Sequence, residues 1–201
     1  MTNYEKLYEI AADNYGLITS AQAKASGISD KEMCVIAKRG KINRLGHGVY
    51  KICDYIPVKN DPYAEAVAMV GVGSYLYGES VLRMLDLIPF NPNYIYAATP
   101  KRVRRTLPAH IKLVNSVHCH ACYYDGIPSQ KVYDAIMSCL NKVESNRLAQ
   151  AVKNARREGY ITLQEQRLLT RELTNADAKQ CKTLTPLVYQ IAQNQDEYDE
   201  I

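Results

Sequence analysis

Apolar positions in the first fifty residues fall into three short helical sets followed by two alternating runs. Tyr4, Leu7, Ile10 and Ala11 share one helical face, which predicts a helix from about Asn3 to Asp13. Asn14-Tyr15-Gly16 then supplies a stop, with Gly16 free to adopt positive φ. Thr19-Ser20-Ala21-Gln22 has the pattern of a capping box, in which Thr19 caps a helix and Gln22 reaches back. That helix is expected to end near Ser26. Gly27-Ile28 turns the chain, and Ser29-Asp30-Lys31-Glu32 forms a second capping box. Met33, Ile36 and Ala37 give the helix it opens a buried face, Lys31, Cys34, Val35 and Lys38 lie largely opposite, and Gly40 ends it.

Two short helices about a glycine-containing turn predict a helix-turn-helix. Lys41-Ile42-Asn43-Arg44-Leu45 and Val49-Tyr50-Lys51-Ile52 alternate polar and apolar around the turn Gly46-His47-Gly48, so a β-hairpin follows directly. A hairpin in that position is expected to be a wing. The helix at 29–39 would then be the recognition helix, with Ser29, Asp30 and Lys31 toward base edges in a major groove. Lys38, Arg39, Lys41, Arg44 and Lys51 would mostly touch phosphate, with Ser20 and His47 completing the expected DNA-binding set.

The pattern changes after the hairpin. Asp54 to Pro62 contains two prolines and several polar residues and reads as a connection. Helices are expected from about Pro62 to Val70, with Ala64, Val67 and Ala68 inward, and from Glu79 to Leu87. Strands are expected at Tyr94–Ala98, Ile111–Val114 and Cys119–Tyr124, giving an antiparallel sheet. Asp125-Gly126 is turn chemistry. Further helices are expected at Gln130–Leu140, Ser145–Glu158 and Leu163–Leu173, with a last one opened by Thr185-Pro186. The fold class is therefore α+β, an N-terminal winged helix-turn-helix followed by a mixed α/β C-terminal domain. The expected boundaries are 1–56 for the first domain, 57–62 for the linker, 63–192 for the second domain, and 193–201 for an acidic tail.

Composition adds limits. Of the 201 residues 47% are hydrophobic, enough for a sizeable core. No stretch approaches the roughly 18 apolar residues of a membrane span, and the N-terminus has no secretion signal, so a cytoplasmic protein is expected. The six cysteines are scattered and read as free thiols. The net charge of +4 permits nucleic-acid binding without proving it. Residues 1–59 carry nine Lys+Arg against six Asp+Glu. Such a unit neutralises few phosphates, and useful affinity is expected to need two protomers on inverted or paired half-sites of duplex DNA.

The chemistry-bearing motifs are few. Lys101-Arg102-Val103-Arg104-Arg105 is the densest basic run. Lys101, Arg102, Arg104 and Arg105 are read as a candidate surface for DNA or a partner, or as a solvated turn. His118-Cys119-His120-Ala121-Cys122 contains metal-ligand residue types, but no second Cys/His cluster completes a tetrahedral site, so no metal is expected. Gly73-Ser74 is like the start of a nucleotidyltransferase motif. That chemistry needs paired carboxylates for divalent metal, and only Asp86 follows. There is no phosphate-binding Gly-rich loop, His-Glu-x-x-His or Gly-x-Ser-x-Gly. Neither a cofactor nor an enzymatic activity is expected.

Three stretches carry a resemblance: Tyr15-Gly16-Leu17-Ile18-Thr19, Ser26-Gly27-Ile28-Ser29, and the run from Arg39-Gly40 through Arg44 to Gly46-His47-Gly48-Val49-Tyr50. In these the chain resembles the AbiEi family, the antitoxins of type IV toxin–antitoxin (abortive infection) systems. Gly78-Glu79-Ser80-Val81-Leu82 is similar to a Ser-Ala-Leu helix of the family, with Val81 in place of the commoner alanine. Asp125-Gly126-Ile127-Pro128 is similar to a strand-to-helix junction there. The resemblance implies phage defence through two jobs: autoregulation, with the N-terminal winged helix as transcriptional repressor at its own promoter, and a C-terminal domain that counteracts a nucleotidyltransferase-type toxin, functionally if not physically. The alternative is a winged-helix regulator whose C-terminal domain senses a ligand or dimerises, with no toxin.

Overall fold

A computed structural model describes residues 2–89, 93–115, 121–176 and 178. The first helix, α1 (Asn3–Ala12), is opened by a capping box between Thr2 and Glu5 and buries Leu7 and Ala11. Strand β1 (Leu17–Thr19) leads straight into α2 (Ser20–Ala25), and α3 (Asp30–Lys38) follows after a short turn. Both expected capping boxes form: Gln22 N–H donates to Thr19 Oγ1 at 3.2 Å and Glu32 N–H to Ser29 Oγ at 3.3 Å. Each satisfies backbone donors that a helix start leaves without partners.

Strands β2 (Ile42–Gly46) and β3 (Val49–Ile52) make the expected hairpin. β1, which the hydrophobic pattern did not reveal, pairs antiparallel with β3 in the register Leu17–Lys51, Ile18–Tyr50 and Thr19–Val49. The sheet order is β1-β3-β2, with a register shift between Arg44 and Gly46. Leu7, Ile18, Ala23, Ile28, Met33, Ile42 and Tyr50 form the core of this N-terminal unit. Gly16 is required where β1 begins. Its φ is +70°, and a Cβ there would stand 2.5 Å from Cγ of Tyr55.

The remaining residues build a larger body. Helix α4 (Asp61–Val70) is buried on several sides. Ala64 and Val67 face one core, and Ala66, Met69 and Val70 face another with Ala97 and Ile111. Residues 61 and 62, expected in the connection, form its first turn. Strand β4 (Tyr75–Leu76), helix α5 (Glu79–Met84), and strands β5 (Ile95–Thr99), β6 (Ile111–Asn115), β7 (Cys122–Tyr124) and β8 (Ile127–Ser129) come next. Helices α6 (Val132–Cys139), α7 (Ser145–Arg157) and α8 (163–176) complete the described chain. The helix expected from Thr185, the acidic tail, and His118, Cys119 and His120 lie outside the described residues.

The body's sheet corrects the antiparallel expectation. Its order is β6-β5-β4-β8-β7 and it is mixed: β5–β6 and β4–β8 are parallel, while β4–β5 and β7–β8 are antiparallel. The two strands missed from the pattern, β4 and β8, are two and three residues long, and Leu76 meets Ser129 across 53 positions of chain. Leu82, Ile136, Leu148, Ala151, Val152, Leu169 and Leu173 of helices α5 to α8 share one core with Leu76 of β4 and Ile127 of β8, and α5 packs on β5, α6 on α5 and α7 on α6. Leu17 and Val49 of the N-terminal unit belong to this same core, so the two parts are packed together.

Candidate nucleic-acid interface

Helix α3 presents two unlike faces. Met33 and Ile36 point into the core, and Lys31, Cys34, Val35 and Lys38 are exposed. Val35 is 46% exposed, which leaves an apolar side chain between two lysines on the outer face. Cys34 and Val35 were not among the expected site residues. Their signal was the i, i+3, i+4 spacing they share with Lys31 and Lys38.

The start of α3 is chemically committed. Ser29 Oγ is occupied in the cap, and its N–H donates to Glu32 Oε2 at 2.8 Å. These bonds hold the Glu32 carboxyl below its ordinary pKa. Asn3 Nδ2 donates to Glu32 Oε1 at 2.8 Å, fastening α1 to α3. Asp30 is paired with Lys24 at 2.7 Å, both exposed. Of the three residues expected at base edges, Lys31 alone has a side chain outside these local bonds and pairs.

Lys38, Arg39 and Lys41 follow at the end of α3 and the start of β2, all exposed. Lys41 Nζ lies 5.6 Å from the centre of the Tyr4 ring. Arg44 and His47 are exposed on the hairpin, and Arg44 Nε donates to the Gly46 carbonyl at 3.2 Å. Among the described residues, Lys31, Lys38, Arg39, Lys41 and Arg44 make no ion pair. Ser20 is half-buried, and its N–H donates to the Gly48 carbonyl at 2.8 Å.

Lys51 does not join this surface. Its ammonium donates to Asp61 Oδ2 at 2.6 Å and Glu65 Oε1 at 2.8 Å, and its side chain is 16% exposed. Burial lowers its pKa, but the bonds to both carboxylates outweigh burial and raise it. β3 is the central strand, and its Lys51 faces α4 rather than solvent. Asp61 also accepts from Tyr55 Oη at 3.3 Å and from the Val58 N–H at 3.2 Å. Tyr15 and Asn60 bond to Asp125 on the body, at 2.5 Å to its carbonyl and 2.9 Å to its carboxylate.

The basic run divides as well. Lys101, Arg102 and Arg104 are exposed. Arg105 reaches the hairpin, donating to the His47 carbonyl at 3.3 Å and to the Val70 carbonyl at 3.1 Å. Between the N-terminal unit and the body lies a cleft of about 830 Å³. Asp30, Cys34, Arg44 and His47 line one wall, and Val72, Gly73, Tyr123 and Pro128 the other. Ser74 bonds through Oγ to the carbonyls of Val67 and Gly71, at 2.8 and 2.6 Å, so it closes the end of α4. Among the described residues no three His, Cys, Asp or Glu side chains are grouped to hold a metal.

Exposed cations without a carboxylate partner beside a short two-helix corner suit contact with a nucleic acid, although Asp30 and Glu32 stand at the start of the same helix. The family model for "Transcriptional regulator, AbiEi antitoxin" matches residues 5–51, so the N-terminal unit is similar to that family. No curated protein matches the chain. None of the described helices is long and apolar enough to cross a membrane.

Proposed function

We propose that the chain is a type IV antitoxin that represses its own promoter and counteracts a nucleotidyltransferase-type toxin. On this reading α2 and α3 form the helix-turn-helix and the β2–β3 hairpin is its wing. The observation that carries the DNA-binding half is the unpaired basic flank of Lys31, Lys38, Arg39, Lys41 and Arg44 around the exposed face of α3. Among the described residues these cations have no carboxylate partner, so a polyanion is their natural partner. Lys31 and Val35 are disposed for base edges, Val35 toward a thymine methyl, and the others for phosphate. Lys51 instead fastens the unit to the body.

The antitoxin half rests on the similarity of residues 5–51 to that family. Because Leu17 and Val49 are shared with the body core, point substitutions separate the two jobs more cleanly than fragments. Lys38→Ala with Arg44→Ala in the full chain is expected to abolish binding to its own promoter at physiological salt. The same variant is expected still to rescue growth when a toxin encoded beside it is induced. Intact promoter binding sinks the DNA surface. Failure of the soluble wild-type chain to rescue sinks the antitoxin reading.

A second reading is favoured by the cleft, whose volume suits a small ligand. On it the chain is a regulator that senses a ligand and has no toxin.

A further inference from the structure

The hairpin is held from outside as well as by its own ladder. β2 lies at the sheet edge, and the His47-Gly48 tip is beyond the regular pairing. Three successive carbonyls at that tip are nevertheless occupied. Gly46 accepts from Arg44, Gly48 from the Ser20 N–H, and His47 from Arg105 Nη1. Only the last donor comes from the body.

Arg105 also spans to Val70, one of the last carbonyls of α4, which has no basic residue of its own in its last turn. A helix leaves its final carbonyls without intrahelical donors, and a guanidinium supplies two in a fixed fork. The seat has a sequence requirement. Gly71 sits at φ +109°, and a Cβ there would collide with Arg105 Nη2. Glycine therefore keeps open the space through which the arginine reaches both carbonyls.

We infer that Arg105 is a positioning residue for DNA binding: it fixes the hairpin tip against α4, and so sets where Arg44 and His47 meet the duplex. The inference rests on the DNA-binding reading above. A pre-set tip loses less freedom on binding than a loose one. Removing the fork costs affinity through the hairpin, without removing a phosphate contact.

The test uses the full chain, a duplex carrying its own promoter, and binding measured across a salt series. Arg105→Gln is expected to weaken binding by roughly tenfold, about 1.4 kcal/mol, with the slope of log K against log salt unchanged. Arg105→Lys is expected to fail as a rescue, because an ammonium keeps the charge but not the fork. Gly71→Ala is expected to reproduce the loss with Arg105 still present. In an Arg44→Ala, His47→Ala background, Arg105→Gln is expected to cost nothing more, because it acts through those residues.

A slope reduced by about 0.9 makes Arg105 a phosphate contact and overturns the inference. So does wild-type affinity in Arg105→Lys, or a loss that simply adds to that of the hairpin variants. Amide exchange of residues 47–50 reads the latch without DNA. It is expected to quicken in Arg105→Gln, and unchanged exchange overturns the inference. A wild-type chain that ignores the promoter while its hairpin exchange still depends on Arg105 sinks the DNA-binding reading and leaves the latch standing.

Discussion

The two flanks of the N-terminal unit treat their cations differently. On the α3 flank, Lys31, Lys38, Arg39, Lys41 and Arg44 stand in solvent without a carboxylate partner among the described residues. On the β3 flank, Lys51 is clamped between Asp61 and Glu65. In sequence Arg44 and Lys51 look alike, each a basic residue in an alternating strand of one hairpin. Their fates diverge because β2 is an edge strand and β3 is central, with α4 packed over it. A cation's role depends on which element covers it: one flank is left open to solvent, and the other is closed by the carboxylates of α4.

Three measurements break or sharpen that contrast. The largest effect is expected from Asp61→Ala. It removes a 4%-exposed carboxylate that accepts from Lys51, Tyr55 and the Val58 N–H. Breaking a buried pair this way costs on the order of 3 kcal/mol, read as a lower urea midpoint at constant slope. A loss no larger than that of a surface substitution would mean the β3 flank is not closed.

Ser29→Ala acts on the other flank through a local bond alone and is expected to cost about 1 kcal/mol. Promoter binding should fall with it, because Ser29 sets the start of α3. Full binding with the expected loss of stability would separate the cap from the reading surface.

The smallest effect is confined to high pH. Lys51 has a raised pKa in the folded chain, so its contribution is complete below its ordinary value of 10.5 and is lost as pH rises through the folded value. Lys51→Arg keeps its charge throughout. The stability difference between the two chains should therefore stay flat up to about pH 10 and turn against wild type above it. Tyr55, raised by its own burial and by the nearby Asp61 and lowered by Lys51, titrates in the same range, so both chains are compared in a Tyr55→Phe background. A flat difference through the alkaline range would show that Lys51 draws nothing from its charge.

The N-terminal unit was largely legible and the body only partly so. Thr19 with Gln22, and Ser29 with Glu32, announced both helix starts because each partner lies three residues away. The hairpin declared itself by alternation around Gly46-His47-Gly48. β1, β4 and β8 were hidden because two or three residues show no period. They are strands only because Tyr50, Ala97 and Leu76 arrive beside them from elsewhere in the chain. Arg105 read as one cation in a basic turn, and nothing near it in sequence indicated the two carbonyls it holds.

By itself, then, the sequence determined the helix starts, the turns and the alternating hairpin, together with the basic character of residues 31–44. Those features rest on bonds and steric preferences reaching only a few residues along the chain. Tertiary structure decided the mixed sheet, the inward turn of Lys51 and the reach of Arg105 to the hairpin. Each of those needs a partner that only folding brings near, and a charge or a short strand has no settled role until the group that satisfies it has arrived.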